Sequence, residues 1–143
     1  MRLTQFSEYA LRLLTFAAAH PDRLITVEEA ASAHEISRTH LMKVANLLAR
    51  EGFLKAQRGR SGGLVLARAP ETISLGALVR LTEPAFSVLE CFGEAEGRST
   101  LRQDCWRAIL SDAMDAFLAE LDRHTLQDLL ADPERYGIAR PAA

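Results

Sequence analysis

The sequence predicts a mainly α-helical chain with one small β-hairpin and a long helix towards its C-terminal end. Three observations carry that expectation. Two short amphipathic segments, TVEEAASA and SRTHLMKVANLLARE, stand about four residues apart, and each opens on a residue able to cap a helix. Two apolar runs, FLKAQ and LVLAR, flank the Gly-rich stretch RGRSGG, as a hairpin requires. From Cys105 to His124 the run CWRAILSDAMDAFLAELDRH repeats its apolar residues at helical spacing.

Taken in order, the first element is a helix through YALRLLTFAAA, capped by Ser7 and apolar enough to be mostly buried, with His20, Pro21 and Asp22 ending it. Thr26 followed by Glu29 is a capping box, which opens a short second helix. Ser37 caps the third, where Leu41, Val44, Ala45, Leu48 and Ala49 form one apolar stripe and Gly52 is the stop. A helix pair followed by a hairpin with Arg58 and Arg60 at its tip is the winged helix-turn-helix layout. Ser74 caps LGALVRLTE, and Pro84 ends it. In the long helix, Trp106, Ile109, Leu110, Ala113, Phe117 and Leu121 share a face. Its length suits packing against a second copy, and Trp106 is expected in the core. Thr125 caps LQDLLA, and ERYGIARPAA reads as a disordered tail.

At 143 residues, 48% hydrophobic and 25% charged, the chain has the make-up of one soluble globular domain. No apolar run approaches the roughly 20 residues that span a bilayer, and MRLTQFSEYA lacks the layout of a secretion signal. A cytoplasmic protein without a membrane partner is expected, in a compartment where stable disulfides are uncommon. The net charge of −2 is unevenly spread: residues 1–68 carry ten Lys and Arg against six Asp and Glu, and residues 69–143 seven against thirteen. A front half at +4 and a back half at −6 suggest that only the front meets a polyanion.

In a helix-turn-helix the first residues of the second helix face base edges in the major groove. Here these are Arg38, Thr39 and His40, with Lys43 one turn on, and Ser37 at the helix N-terminus suits a backbone phosphate. In the hairpin tip, Arg58 and Arg60 with Ser61 and Gly62 form a bare, basic loop able to enter a narrow minor groove. Double-stranded DNA is therefore the expected partner. No nucleophile–base pair appears, and RGRSGG lacks the lysine and spacing of a phosphate loop, so no enzyme is expected.

The only two cysteines, Cys91 and Cys105, lie outside CxxC spacing, in and beside the polar segment ECFGEAEGRSTLRQDCW. As residues they are open to three readings: buried packing, a redox disulfide, or metal ligands.

The stretches MRLTQFSEYALRLL, ISRTHLMKVANLLAREGFL and RGRSGGLVLARAPETISLGALVRLTEP, with the cysteine region and TLQDLL, resemble bacterial iron–sulfur winged-helix regulators of the NsrR/IscR/RsrR type, nearly end to end. The resemblance implies a homodimeric transcriptional repressor on a pseudo-palindromic operator, with a cluster between the wing domain and the dimerisation helix. The opening and closing stretches are most similar to the nitric-oxide-responsive NsrR branch. That branch usually carries three cysteines here, and the middle position is Ser99 in this chain, a poor iron ligand. A [2Fe–2S] cluster takes four protein ligands, and histidine can replace thiolate. The RsrR-like set implied by the resemblance is Cys91 and Cys105 of one subunit with Glu8 and His34 of the other.

On that reading residues 1–82 are the DNA-binding domain, 83–104 the cluster-binding loop and 105–143 the dimerisation helix with the C-terminal helix and tail. Nitric oxide or a redox change is the implied signal. The alternatives are that Glu8 only complements a helix dipole, that His34 caps carbonyls or lies in solvent, and that a Cys91/Cys105 thiol switch or a protein partner replaces the cluster. His20, His124 and Tyr9 read as structural or surface residues.

Overall fold

The computed structural model describes residues 2–59, 61–83 and 101–131, apart from the side chains of 101–105 and 107. Cys91, Ser99, Arg60 and the ERYGIARPAA tail lie outside the described residues, as does the side chain of Cys105.

Helix α1 (Gln5–Ala18) begins earlier than its apolar pattern suggests, and its cap is Thr4 rather than Ser7. A cap residue keeps a non-helical backbone, and Thr4 has one at φ −70° and ψ 157°. Its hydroxyl accepts the Ser7 N–H at 3.5 Å, while Ser7 itself is helical and turned inward. Helix α2 (Val27–Ala33) carries the expected capping box: the Thr26 hydroxyl accepts the Glu29 N–H at 3.1 Å, and Glu29 accepts the Thr26 N–H at 2.7 Å. Helix α3 (Arg38–Arg50) starts after Ser37, whose side chain makes no cap hydrogen bond. Leu41, Val44, Ala45 and Leu48 of its stripe are buried, and Ala49 is half-buried at the margin.

Strands β1 (Leu54–Gln57) and β2 (Gly63–Leu66) pair antiparallel, from Leu54 opposite Leu66 to Gln57 opposite Gly63. Ile25 extends the hairpin on its other side, exchanging hydrogen bonds with Leu64 at 2.9 and 2.7 Å. That approach explains Gly63: a Cβ there would lie 2.6 Å from the Ile25 carbonyl oxygen, so no side chain fits.

After a 3-10 turn at Pro70–Thr72, helix α4 (Leu75–Thr82) is capped by Ser74, which accepts the Ala77 N–H at 3.2 Å. Helix α5 (Leu101–Asp122) starts at Leu101 rather than at Cys105. Helix α6 (Leu126–Ala131) follows Thr125, whose N–H donates to Asp128 at 2.7 Å.

Leu13 and Leu14 of α1, Leu41 and Leu48 of α3, Ile25, Leu54, Ile73 and Leu78 share one core. Each such side chain contributes about 2 kcal/mol when fully buried. Leu126 joins them, because its N–H donates to Ile73 at 2.9 Å while Leu75 donates to the His124 carbonyl at 3.0 Å. The chain beyond the long helix thus returns to the core of the helix pair.

Trp106 is not in that core. It is 63% exposed and Ile109 is 59% exposed, because among the described side chains of α5 burial begins only from Met114 to Leu118. The apolar face that the spacing predicted exists, but in the single chain its first half meets solvent.

Candidate nucleic-acid interface and metal ligands

Around the start of α3, Ser37, Arg38, Thr39, His40 and Lys43 are all exposed. The packing that leaves them so is the burial of Leu41, Val44 and Leu48 on the opposite side of the helix. Arg38 pairs through Nε with Glu28 of α2 at 2.8 Å, so the two helices of the motif are joined across the turn. In the hairpin, Arg58 and Ser61 are exposed and Gly62 is half-buried. Between α3 and the hairpin lies a cleft of about 260 Å³, with Arg38, Glu28, Met42, Gly62 and Gly63 in its walls. Met42 is 37% exposed there. Sequence reasoning gave it no role, since Met42 falls outside the apolar stripe and a single apolar residue carries no spacing signal.

Arg68 fixes the hairpin to the end of α3. Its Nε donates to the Gly52 carbonyl at 3.0 Å, its Nη2 donates to the Glu51 carbonyl at 3.2 Å, and the guanidinium lies 4.6 Å from the Phe53 ring centroid. Those carbonyls belong to the helix C-terminus, where unpaired acceptors and the helix dipole both favour a cation.

The candidate metal ligands are reached next. Glu8 lies in the first turn of α1 and pairs with Arg12 one turn on, at 2.5 Å, with both side chains about half exposed. His34 is the C-cap of α2, and its ring meets Phe16 edge-on with centroids 5.7 Å apart. The His34 Nε2 is buried and makes no hydrogen bond among the described residues. Burial, and secondarily the charge of Arg12, holds the imidazole pKa below its ordinary value, so the ring is kept neutral. A neutral ring nitrogen with no partner is the state a metal ligand requires. The structure therefore brings Glu8 and His34 to the surroundings of one arginine, Arg12. Cys91 and the side chain of Cys105 lie outside the described residues, and among the described residues no three His, Cys, Asp or Glu gather into a metal-sized group.

His20 is structural, its Nδ1 lying 2.8 Å from the Phe16 carbonyl oxygen. His124 sits on the surface between Glu120 and Asp128, at 3.6 and 4.0 Å.

Two features of this region escaped the sequence. Glu83, at the end of α4, is buried and accepts hydrogen bonds from the Thr4 N–H at 2.7 Å, the Thr4 hydroxyl at 2.9 Å and the Ser7 hydroxyl. Ser7 also lies 2.7 Å from the Thr82 hydroxyl. Burial alone would raise the Glu83 pKa, but the donors from Ser7 and Thr4 together outweigh it and hold the carboxylate below its ordinary value. In addition, Arg80 grips Asp122 with two bonds, at 2.7 and 2.6 Å, and Ser74 adds a third at 3.1 Å. That clamp fixes the C-terminal end of α5 to α4. Neither pair shares a helix, so no local spacing announces it.

The sequence profile of the Rrf2 family, described as an iron-dependent transcriptional regulator, matches residues 3–132. The chain belongs to the Rrf2 family. As a member it is a DNA-binding transcriptional regulator and not an enzyme. It is 39% identical over 136 residues to the HTH-type transcriptional regulator NsrR of Bacillus subtilis strain 168, covering 94% of this chain and 93% of that protein. With NsrR of Geobacillus kaustophilus the identity is 42% over 134 residues, covering 92% and 91%. Among solved structures, IscR of T. potens superposes with a TM-score of 0.72 at 22% identity, covering 99% of this chain and 94% of that one. The cysteine regulator CymR of B. subtilis superposes at 0.70 with 23% identity, covering 92% and 97%. At those identities the structures establish the Rrf2 winged-helix fold alone. Among the described residues no helix is long and apolar enough to cross a membrane.

Proposed function

We propose that this Rrf2-family regulator is a homodimeric repressor whose operator binding is switched by an iron–sulfur cluster of the [2Fe–2S] type. Cys91 and Cys105 of one subunit and Glu8 and His34 of the other would hold it, linking the 83–104 loop to the partner's DNA-binding domain, residues 1–82. The observation that carries this reading is the buried, unpartnered Nε2 of His34. A native fold rarely leaves such an atom without a bond, and a role as a metal ligand accounts for it.

When bound, the cluster supplies iron that nitric oxide or a redox change can attack. The protein's part is mechanical. His34 stands immediately before the turn that leads into α3, so fixing its ring fixes the entry to the recognition helix. Glu8 does the same for α1, which packs against α3. Arg12 is the competing partner for Glu8, ready to take back the carboxylate when it is released. Arg38, Thr39, His40 and Lys43 read the major groove, Ser37 meets a phosphate, and Arg58, Arg60, Ser61 and Gly62 follow the backbone into the minor groove. Two copies joined through Trp106, Ile109 and Leu110 would match half-sites roughly 34 Å apart. A switch works only through unequal interaction in its two states, and a ligand bond that is made or broken across subunits supplies that inequality.

A second reading, a regulator without a cluster that uses a Cys91/Cys105 thiol switch or a protein partner, is favoured by the Glu8–Arg12 pair, which already satisfies one proposed ligand. Anaerobically purified protein separates the two. The proposal expects visible absorption with two irons and two sulfides per site, roughly as a [2Fe–2S] group demands, lost in Cys91→Ala and Cys105→Ala. Colourless protein that binds DNA tightly would leave the second reading standing.

A further inference from the structure

Glu28 and Glu29 are neighbours at the start of α2 with different roles. The Glu29 carboxylate is taken up by Thr26 at 2.7 Å and by Arg23 at 2.9 Å, within and just before its own helix. Glu28 instead crosses to the next helix and meets Nε of Arg38 at 2.8 Å, with the side chains 72% and 64% exposed respectively. An exposed pair of this kind contributes little to folding. Its position gives it another use. Both residues wall the cleft between α3 and the hairpin, on the side where Arg38 would meet a base edge.

The chemistry of the guanidinium decides what the pair can do. Arginine has one N–H at Nε and four on its two Nη groups, and recognition of guanine O6 and N7 needs two parallel N–H bonds. An ion pair at Nε leaves the Nη fork available while restricting the torsions that aim it. Without the pair, Arg38 is a flexible cation at a helix start, and its commonest partner on DNA is a phosphate, which carries no sequence information. The Glu28 charge also opposes a polyanion, so it weakens binding to any duplex and leaves discrimination to the base contact.

We propose that Glu28 is a specificity-determining positioning residue, which holds Arg38 as an aimed guanine reader and keeps its charge off the phosphates. This rests on the reading above that Arg38 faces a base. The test is selection from a pool of random-sequence duplexes by the full-length protein, wild type against Glu28→Gln, Arg38→Ala and the double variant, all at equal metal content. Wild type should enrich a guanine at symmetry-related positions, and Arg38→Ala should erase that preference. Glu28→Gln should reduce the same preference about fivefold. It should also steepen the salt dependence of binding to an unselected duplex by a slope of about 0.9, one phosphate gained. In base preference the double variant should match Arg38→Ala alone. If Arg38→Ala erases the preference but Glu28→Gln changes neither preference nor slope, the positioning role is overturned while the base contact stands. An intact preference in Arg38→Ala overturns both.

Discussion

The buried carboxylate of Glu83 accepts the backbone N–H of Thr4 at 2.7 Å, so the end of α4 is bonded to the cap of α1, 79 residues earlier. Glu83 is also the last described residue before the segment that contains Cys91. The bond therefore anchors the entrance of that segment to the helix that carries Glu8.

Replacing Glu83 by Gln removes a charged acceptor that three donors share, and should cost about 2 kcal/mol in urea unfolding. The pH dependence follows from the depressed pKa. The contribution of Glu83 is complete above the ordinary carboxylate range and is lost as pH falls through its lowered folded value. His34 is depressed too, from 6.5, so its share fades in a higher window, beginning as pH drops below that value. Wild type should lose stability in two stages on acidification, and Glu83→Gln should shrink the lower one. What remains of it is the part owed to Glu29, Asp122 and Asp128, whose carboxylates are also held low by hydrogen bonds. A variant with the wild-type acid profile would show that Glu83 is not the titrating anchor.

The orphaned nitrogen of His34 makes an opposite prediction. In metal-free protein, His34→Leu removes an unsatisfied polar atom and fills its space, so stability should hold or rise by about 1 kcal/mol. The same variant should disturb the visible spectrum of metal-loaded protein. A loss as large as a core truncation, about 3 kcal/mol, would mean that the nitrogen has a partner in the folded chain.

Gly76 faces the α4–α5 clamp. A Cβ at this position would lie 2.1 Å from Oδ1 of Asp122, which Arg80 and Ser74 hold in place. Gly76→Ala should therefore destabilise the wild type. In an Asp122→Ala background the nearest obstacle is gone and Arg80, whose Nη1 would lie 3.0 Å from the Cβ, is released to move aside. The same change should then stabilise by up to about 1 kcal/mol through helix propensity. Equal effects in the two backgrounds, measured by thermal unfolding, would remove the clamp from the account.

Arg68 predicts a failure of conservative substitution. Arg68→Ala should cost about 1 kcal/mol, from the lost carbonyl bonds at the end of α3 and the lost stacking on Phe53. Arg68→Lys should rescue little, since a single ammonium cannot reproduce the two-nitrogen fork. Full rescue by lysine would reduce the contact to simple charge.

Arg60 belongs to the basic stretch RGRSGG and is one of the proposed DNA contacts. Arg60→Ala should weaken DNA binding and flatten its salt dependence by about one phosphate-equivalent. Unchanged affinity across several salt concentrations would place Arg60 off the interface.

Much of this molecule is legible without coordinates. The capping box at Thr26 and Glu29, the stripe of α3 and the turn glycines Gly59 and Gly62 are local signals, each decided within a few residues by backbone geometry or helical spacing. The exposed basic start of α3 follows from the same stripe, because burying one side of a helix leaves the other to solvent. Even the resemblance that singled out Glu8 and His34 rests on short stretches read in order.

What the tertiary structure alone decided are relationships between distant segments. No spacing could show that Ser7 is not the cap, because its inward turn depends on Glu83 and Thr82, more than seventy residues away. Nor could it show that the charge of Arg12 acts on His34, that Glu28 holds Arg38, or that Leu126 rejoins the first core. Trp106 marks the divide most plainly. Its helical spacing fixed the face it occupies, but whether that face is covered depends on where α5 leaves the globule, and the single chain leaves it in water. Local backbone preference acts over one or two turns, whereas burial and charge pairing are settled only when the whole chain has chosen its neighbours.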